Sequence, residues 1–530
     1  MEEAVTEPES PSLGVSASQA IALLTAIVLL LGVVFRARGF LIGTIPLWED
    51  EAAWAIRLVD QPLSAHDIRP LGFMAISKLL VGLLSPSETV LRAVPWLAGM
   101  TALFISPLLA KRLFSSHAAR LLFVACIALH PAAIDLSKEF KPYSLGLALH
   151  MGLLLLALQY RATLKGAVLA WLLGLLFVGT LLSQDVVFTY PGLFALLFFE
   201  AVRGRRRRQA WAVALTAGAT LTLLAALYTC FWSKAVGSGT TDYWGKKYDV
   251  FYVGADQQDA SRLGWTAARV GDIAAMPGAR RDHWKRRLLP PPVLAELKLA
   301  DIEIWQVLGV LGVGALLYRR RWGECALLLA PLAVLLACNG LGFWPLGAFR
   351  TNLFALVYAT AVACMAVDRG RGQPVGWDVM PTAAVVLLPF MLLGNTTHAT
   401  KSEMAADSAF TEALRTLVKL RDHHRGSQRS RLALDRSSCS AWRYYKRYHP
   451  DKARTSASLR HFSARCTKDW RSIIALLKGG LRSPNAHNYV LLGQAGAVDE
   501  LESRLPPDLV IDDRVTVGKR DQFVVSVKRR

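Results

Sequence analysis

Three consecutive carboxylates, Glu49, Asp50 and Glu51, lie in the stretch PLWEDEAAWAIRLVD (46–60), just after the first long apolar segment of a strongly basic chain. A carboxylate can take a proton from a hydroxyl as a general base, and its basicity rises when its surroundings are dry. Further charges recur at the same ends of later apolar stretches: Arg69, Arg92, Asp135, Lys138, Glu139, Lys141, Asp185 and Arg350. Charge this close to a bilayer is costly unless it pairs, snorkels or lines a cavity. Mixed carboxylates and cations suit a site where a hydroxyl loses its proton while Lys or Arg neutralises a departing phosphate. Each position also has a plainer use. Asp50 could be the N-cap or first-turn carboxylate of the helix that AAWAIRL announces. Glu49 and Glu51 could be interface charges. Lys138 and Lys141 could reach lipid headgroups, and Arg92 and Arg350 could anchor the ends of spans.

The elements that must position these groups are membrane spans. Of the 530 residues, 53% are hydrophobic, and the mean hydropathy is +0.32. Windows of the length that crosses a bilayer core recur at 19–36, 88–110, 118–135, 142–160, 165–182, 184–201, 210–232, 302–318, 323–338, 350–367 and 378–394, about eleven in all. Apolar stretches at 52–59 and 69–84 read as helices on the membrane surface or tucked against the bundle. The acidic segment 1–17 lacks the basic start of a cleaved signal, so the first span is expected to stay attached.

The net charge of +21 lies largely in short clusters between spans: Lys111 and Arg112, Arg161 and Lys165, RGRRRR (203–208), Arg319 to Arg321, Arg369 and Arg371. Every second short loop is basic, which places these loops and the N-terminus in the cytoplasm and the C-terminus outside. Arg36 and Arg38, at the outer end of the first span, run against this pattern. RGRRRR is read as an anchor near anionic lipid, so no nucleic-acid partner is expected. The chain then divides into a cytoplasmic tail (1–18), a transmembrane domain (19–394) with external loops 37–87 and 233–301, and an external domain (395–530). In that last domain RLALD, NYVLLG and DQFVVSVKR alternate with EMAADSAFTEALRTLVKL and DWRSIIALLKG, a small α/β pattern. If it is exported, Cys439 and Cys466 can form a disulfide. His66, His117, His130 and His150 are isolated, and neither Cys-x-x-Cys nor His-x-x-x-His occurs, so no metal ligand is assigned.

The order of motifs resembles a known family. LWEDEAAWA is similar to the Asp-Glu motif in the first external loop of GT-C membrane glycosyltransferases, in the protein O-mannosyltransferase-like branch that includes lipopolysaccharide-modifying enzymes. IRPLGFMAISKLL (68–80) resembles that branch's His-Pro-Pro-Leu-Tyr-type segment, with Arg69-Pro70 in the place of His-Pro. ETVLRAVPWLAGMTALFISPLLAKRLF (88–114) is similar to its Leu-Arg span, and HPAAIDLSKEFKPYSLGLAL (130–149) to its Ser-x-x-x-Arg-Pro-Tyr stretch, with Lys141 where Arg stands. WPLGAFRTNLFALVYATAVA (344–363) resembles the late loop-and-span, and SCSAWRYYKRYHP (438–450) a Tyr-Tyr piece of some external domains.

The resemblance implies a GT-C-like polytopic helical membrane protein in a bacterial inner membrane, with a periplasmic α/β domain. It implies a donor sugar on a polyprenyl phosphate and a hydroxyl acceptor on an envelope glycan, lipid or protein. Asp50 would be the general base of an inverting transfer, with Glu51 its helper. Lys138, Lys141, Arg92 or Arg350 would hold the donor phosphate, and Glu49, Arg69 and Tyr143 would lie nearby. Some relatives use a divalent cation and others do not, so no cofactor is assigned. A transporter of lipid-linked saccharide and a non-catalytic assembly protein remain alternatives. A transporter of this kind is expected to show inverted repeats and charges at the bilayer midplane; here no such repeat is visible and the charges gather at the outer ends.

Overall fold

In a computed structural model, the structure describes residues 17–41, 47–65, 69–233, 245, 249–252, 261–278, 304–348, 350–368, 393, 412–424, 430–448, 459, 462–467, 469–478, 481, 487–492, 497–517 and 522–530. The expected span 378–394 apart from residue 393, the boundary at 394/395, and most of the expected external loop 233–301 lie outside them.

The protein is a polytopic helical membrane protein with a C-terminal α/β sheet domain. Its helices are α1 (Ala17–Ala37), α2 (Glu49–Asp60), α3 (Leu71–Leu83), α4 (Glu88–Leu113), α5 (His117–Leu129), α6 (Pro131–Asp135), α7 (Tyr143–Thr163), α8 (Gly166–Leu182), α9 (Tyr190–Arg203), α10 (Arg207–Leu227), α11 (Arg262–Ala275), α12 (Ile304–Tyr318), α13 (Trp322–Gly340) and α14 (Ala355–Val367). Apolar side chains are exposed along α1, α8, α10 and α12, among them Leu30, Trp171, Trp211, Leu215 and Val310. Water-soluble proteins rarely expose such stretches, which suit acyl chains.

Six described helices are long and apolar enough to cross a membrane, or seven if the bent pair His117–Leu129 and Pro131–Lys138 is one span. The expected spans 165–182, 302–318 and 350–367 correspond to the shorter apolar helices α8, α12 and α14. At ~1.5 Å per residue these fall short of a bilayer core of about 30 Å.

Local signals set the helix limits. The Ser87 side chain accepts from the Val90 N–H at the start of α4, Glu88 lies in its first turn, and Lys111 and Arg112 close its last. These charges complement the helix dipole. The expected span 118–135 bends by 52° where Pro131 interrupts it, because proline cannot donate to the preceding turn. The freed carbonyls of Ile127 and Ala128 accept from Arg36, at 3.1 and 2.9 Å. Arg36, fully buried, thus caps a broken helix, which accounts for a cation at the C-terminal end of α1.

One end of the bundle is polar. Arg161 meets Glu200 and Glu324, Arg321 meets Glu324 and Asp368, and Asp368 accepts from the backbone of Ser115 and Ser116. These contacts gather the ends of α4, α7, α9, α13 and α14 that carry the basic loops.

The C-terminal domain begins with α15 (412–423) and continues through β1 (Ser430–Leu434), α16 (Arg436–Arg447), β2 (Phe462–Cys466), α17 (Trp470–Lys478), β3 (Asn488–Leu492), α18 (Ala497–Arg504), β4 (Leu509–Val517) and β5 (Gln522–Arg529). The sheet order is β2-β1-β3-β5-β4. β1 runs parallel to β2 and β3, while β5 pairs antiparallel with β3 and β4. Cys439 on α16 and Cys466 at the end of β2 form a disulfide, with Cα atoms 5.7 Å apart.

This domain docks on the segment carrying the carboxylates. Ala52, Ala55 and Leu58 of α2 share one buried apolar cluster with Trp442, Tyr444 and Tyr445 of α16. The Tyr445 hydroxyl accepts from the Leu47 N–H (2.8 Å) and donates to Glu88 Oε1 (3.0 Å). Tyr444 donates to the Pro86 carbonyl (2.5 Å), and Tyr448 to Asp60. Burial, reinforced by the charge of Glu88, pushes the Tyr445 phenol well above its ordinary value and keeps it a donor. Tyr445→Phe is expected to lower stability by about 1–3 kcal/mol by stranding buried polar partners. Thermal unfolding of the purified protein measures this, and an unchanged midpoint would refute the clamp.

Candidate active site

Asp50 and Glu51 are neighbours on α2 with separate partners, because successive helical residues point about 100° apart. Glu51, fully buried, accepts from Arg92 at two points, Nε to Oε1 (2.9 Å) and Nη2 to Oε2 (2.6 Å). It also accepts from the Phe140 N–H (2.5 Å), and its Oε2 reaches back to the Trp48 N–H (3.4 Å), as an acidic residue in the first turn of a helix does. One carboxylate thus locks the start of α2, the span α4 and the loop before α7 together. Arg92 is 3% exposed and serves this lock.

Asp50 faces the other way. Its Oδ2 is 2.7 Å from Lys141 Nζ and 3.4 Å from Arg350 Nη2. The side chain keeps 35% of its exposure, and that of Arg350 keeps 24%. Asp50 also sits in the first turn of α2, so the plain helix-start reading and a chemical one hold together. Lys141 follows the Phe140 amide that Glu51 grips, so Glu51 positions the lysine that meets Asp50.

Two tryptophans complete the surroundings. Trp54 lies four residues after Asp50, on the same helical face. Lys141 Nζ sits 3.9 Å from its ring centroid and the Arg69 guanidinium 4.8 Å. Phe73 and Phe140 contact the Trp54 ring edge-on. Arg350 lies 5.2 Å from the ring centroid of Trp48. Aromatic faces hold these cations in a partly dry site, and such contacts strengthen on desolvation. The sequence reading passed over Trp48 and Trp54; the four-residue spacing from Asp50 was the available signal for the second.

The remaining expected residues fall as follows. Tyr143 opens α7, close enough to Arg350 and Asp50 to feel both charges. Lys138 is buried and pairs with Asp135 at 3.4 Å. Glu49 opens α2; its side chain lies outside the described ones. Among the histidines, His130 Nε2 is 2.7 Å from the Met276 carbonyl, and His150 meets the Tyr358 hydroxyl (2.8 Å) and lies 3.9 Å from Asp185. His66 lies outside the described residues.

The arrangement sets one half-exposed carboxylate against two cations. Those cations oppose a divalent ion at Asp50, so the described side chains there do not fit one, and no step below uses a metal. They do fit a phosphate, which could take Asp50's place between Lys141 and Arg350.

No family model matches the chain, and no curated protein matches it. Among solved structures, ArnT from Cupriavidus metallidurans in the apo state is similar with a TM-score of 0.49 at 12% identity, covering 96% of this chain and 98% of that one. The same protein bound to undecaprenyl phosphate gives a TM-score of 0.48, with the same identity and coverage. The Archaeoglobus fulgidus oligosaccharyltransferase in the apo form gives 0.44 at 13% identity, covering 92% of this chain and 71% of that one.

Proposed function

We propose that this protein is a membrane glycosyltransferase that moves a sugar from a polyprenyl-phosphate donor to a hydroxyl acceptor on the external face, inverting the anomeric carbon. The observation that carries the reading is the half-exposed Asp50 carboxylate held by Lys141 and Arg350 on a tryptophan-lined rim. The donor phosphate enters and draws both cations to itself. Asp50, released from them, is left free to accept a hydrogen bond from the acceptor hydroxyl. The acceptor O–H gives its proton to Asp50 as its oxygen bonds to the anomeric carbon. The bond from that carbon to the phosphate oxygen breaks, and polyprenyl phosphate leaves with its charge met by Lys141 and Arg350. Lys141 and Arg350 thus bind the leaving group, the ring of Trp54 holds Lys141 in place, and Glu51 with Arg92 positions the loop that carries Lys141.

The test is release of free polyprenyl phosphate from a panel of polyprenyl-phosphate sugars by the purified protein in lipid nanodiscs. Movement of intact donors between leaflets without release would overturn the reading in favour of a transporter.

A pH dependence follows. Burial holds the Lys141 ammonium below its ordinary value, at about 8, against the opposing pull of Asp50. A lowered lysine value means charge is present below about 8 and lost as pH rises through it, while the donor phosphodiester stays singly charged throughout. The donor KM is therefore expected to rise as pH passes through the break and to level off where Arg350 holds the phosphate alone. In Lys141→Arg that break should vanish, since a guanidinium stays protonated. A wild-type KM flat from pH 7 to 9.5 would remove Lys141 from phosphate binding.

A further inference from the structure

The sheet of the C-terminal domain holds a second cluster with ligand chemistry, outside the Asp50 site. His424 lies directly after α15, His487 directly before β3, and Asp512 and Asp513 on β4. Side chains on a strand normally alternate faces. Here the register slips between Ile511 and Asp513, and this bulge turns both carboxylates toward the histidines. His487 Nε2 is 2.7 Å from Asp512 Oδ2, and His424 Nε2 is 3.7 Å from that oxygen and 2.9 Å from Asp513 Oδ2. The two rings stack at 3.8 Å.

We infer that His424, His487 and Asp512 form a zinc site, with the Asp513 carboxylate at its edge. The first three ligand atoms lie within 4.8 Å of one another. A tetrahedral zinc with bonds of about 2.0–2.1 Å needs its ligands roughly 3.3 Å apart, so the observed spacings bracket the requirement. Two imidazoles and one carboxylate supply three of the four positions of a tetrahedral zinc, and Asp513, 2.9 Å from His424 Nε2, would fill the fourth by turning toward the ion. The outer contacts also suit a metal. His424 Nδ1 meets the Tyr489 hydroxyl at 3.0 Å, an arrangement that fixes the ring with Nε2 turned to the centre. Lys528 takes Asp512 by its other oxygen, Oδ1. The ion would tie α15 to the central and edge strands of the sheet, since His487 leads into β3 and the two aspartates lie on β4.

The test uses the full-length protein in detergent, stripped with a chelator and titrated with zinc. Elemental analysis is expected to find about one zinc per chain after desalting. Cobalt should give the visible absorption of tetrahedral coordination, and zinc should raise the thermal midpoint by several degrees. His424→Ala/His487→Ala should abolish retention, absorption and shift. Asp513→Asn, a milder change, should weaken cobalt binding at least tenfold while leaving the protein folded. Wild-type protein that retains no zinc and shows no shift overturns the inference. So does equal retention by the double variant, or a cobalt spectrum unchanged by Asp513→Asn.

Discussion

Asp50→Asn is expected to lower sugar transfer by roughly 10²–10⁴-fold, the range associated with a positioned general base. The amide has nearly the same shape, so α2 and the lock between Glu51 and Arg92 remain. What disappears is the proton acceptor and one negative charge. That charge competes with the donor phosphate for Lys141 and Arg350. Removing it should leave donor affinity unchanged or improve it, so kcat collapses while the donor KM holds or falls. Single-turnover assays and donor-binding titrations read the two effects separately. Turnover within about threefold of wild type would refute the assignment. A fall in kcat matched by an equal rise in KM would instead place Asp50 in donor binding.

The second large effect concerns folding. Glu51→Gln keeps the size and the acceptor for the Phe140 amide but leaves the Arg92 guanidinium without its carboxylate. Glu51 and Arg92 are 0% and 3% exposed, so solvent screens little of the loss. Breaking a buried pair by removing one partner typically costs about 3–5 kcal/mol. The thermal midpoint should drop sharply, and activity should fall with the folded fraction. Glu51→Leu combined with Arg92→Met should recover much of the stability, because two apolar side chains leave no stranded charge. If that pair restores the midpoint while turnover stays low, Glu51 acts by placing Lys141 through the Phe140 amide; if turnover also returns, the lock is structural only. If Glu51→Gln melts with the wild type, the lock carries no stability.

Much of this site could be read from the chain. Asp50, Lys141 and Arg350 are charges at the ends of apolar stretches, and they converge. Arg92 shows what sequence does not carry. It belonged to the same set of cations, but which carboxylate each cation meets depends on side-chain direction. Helical geometry turns Glu51 toward Arg92 and Asp50 away. Lys138 likewise finds Asp135, one helical turn before it. In the C-terminal domain the stretches behind β1, β3 and β5 show runs of apolar and β-branched residues. β2 (FSARC) is too short and polar to stand out, and β4 (LVIDDRVTV) breaks its alternation at the bulge. His424 and His487 stand 63 residues apart, and only the pairing of strands brings them together. Pro131 did mark the bend between α5 and α6, but a hydropathy window runs straight through it.

The capped break between α5 and α6 also bears on how the chain is made. Arg36 finds the Ala128 carbonyl 92 residues further along. At ribosomal rates of about 5–20 residues per second, those residues take roughly 5–20 s to appear. Through that interval the first helix carries a cation without its eventual acceptor, at the end that crosses the bilayer. Insertion of α1 is thus expected to stay provisional until α5 arrives. A chain truncated before Ala128 should leave α1 prone to slip back or be extracted by quality control, whereas one extended past α6 should hold it.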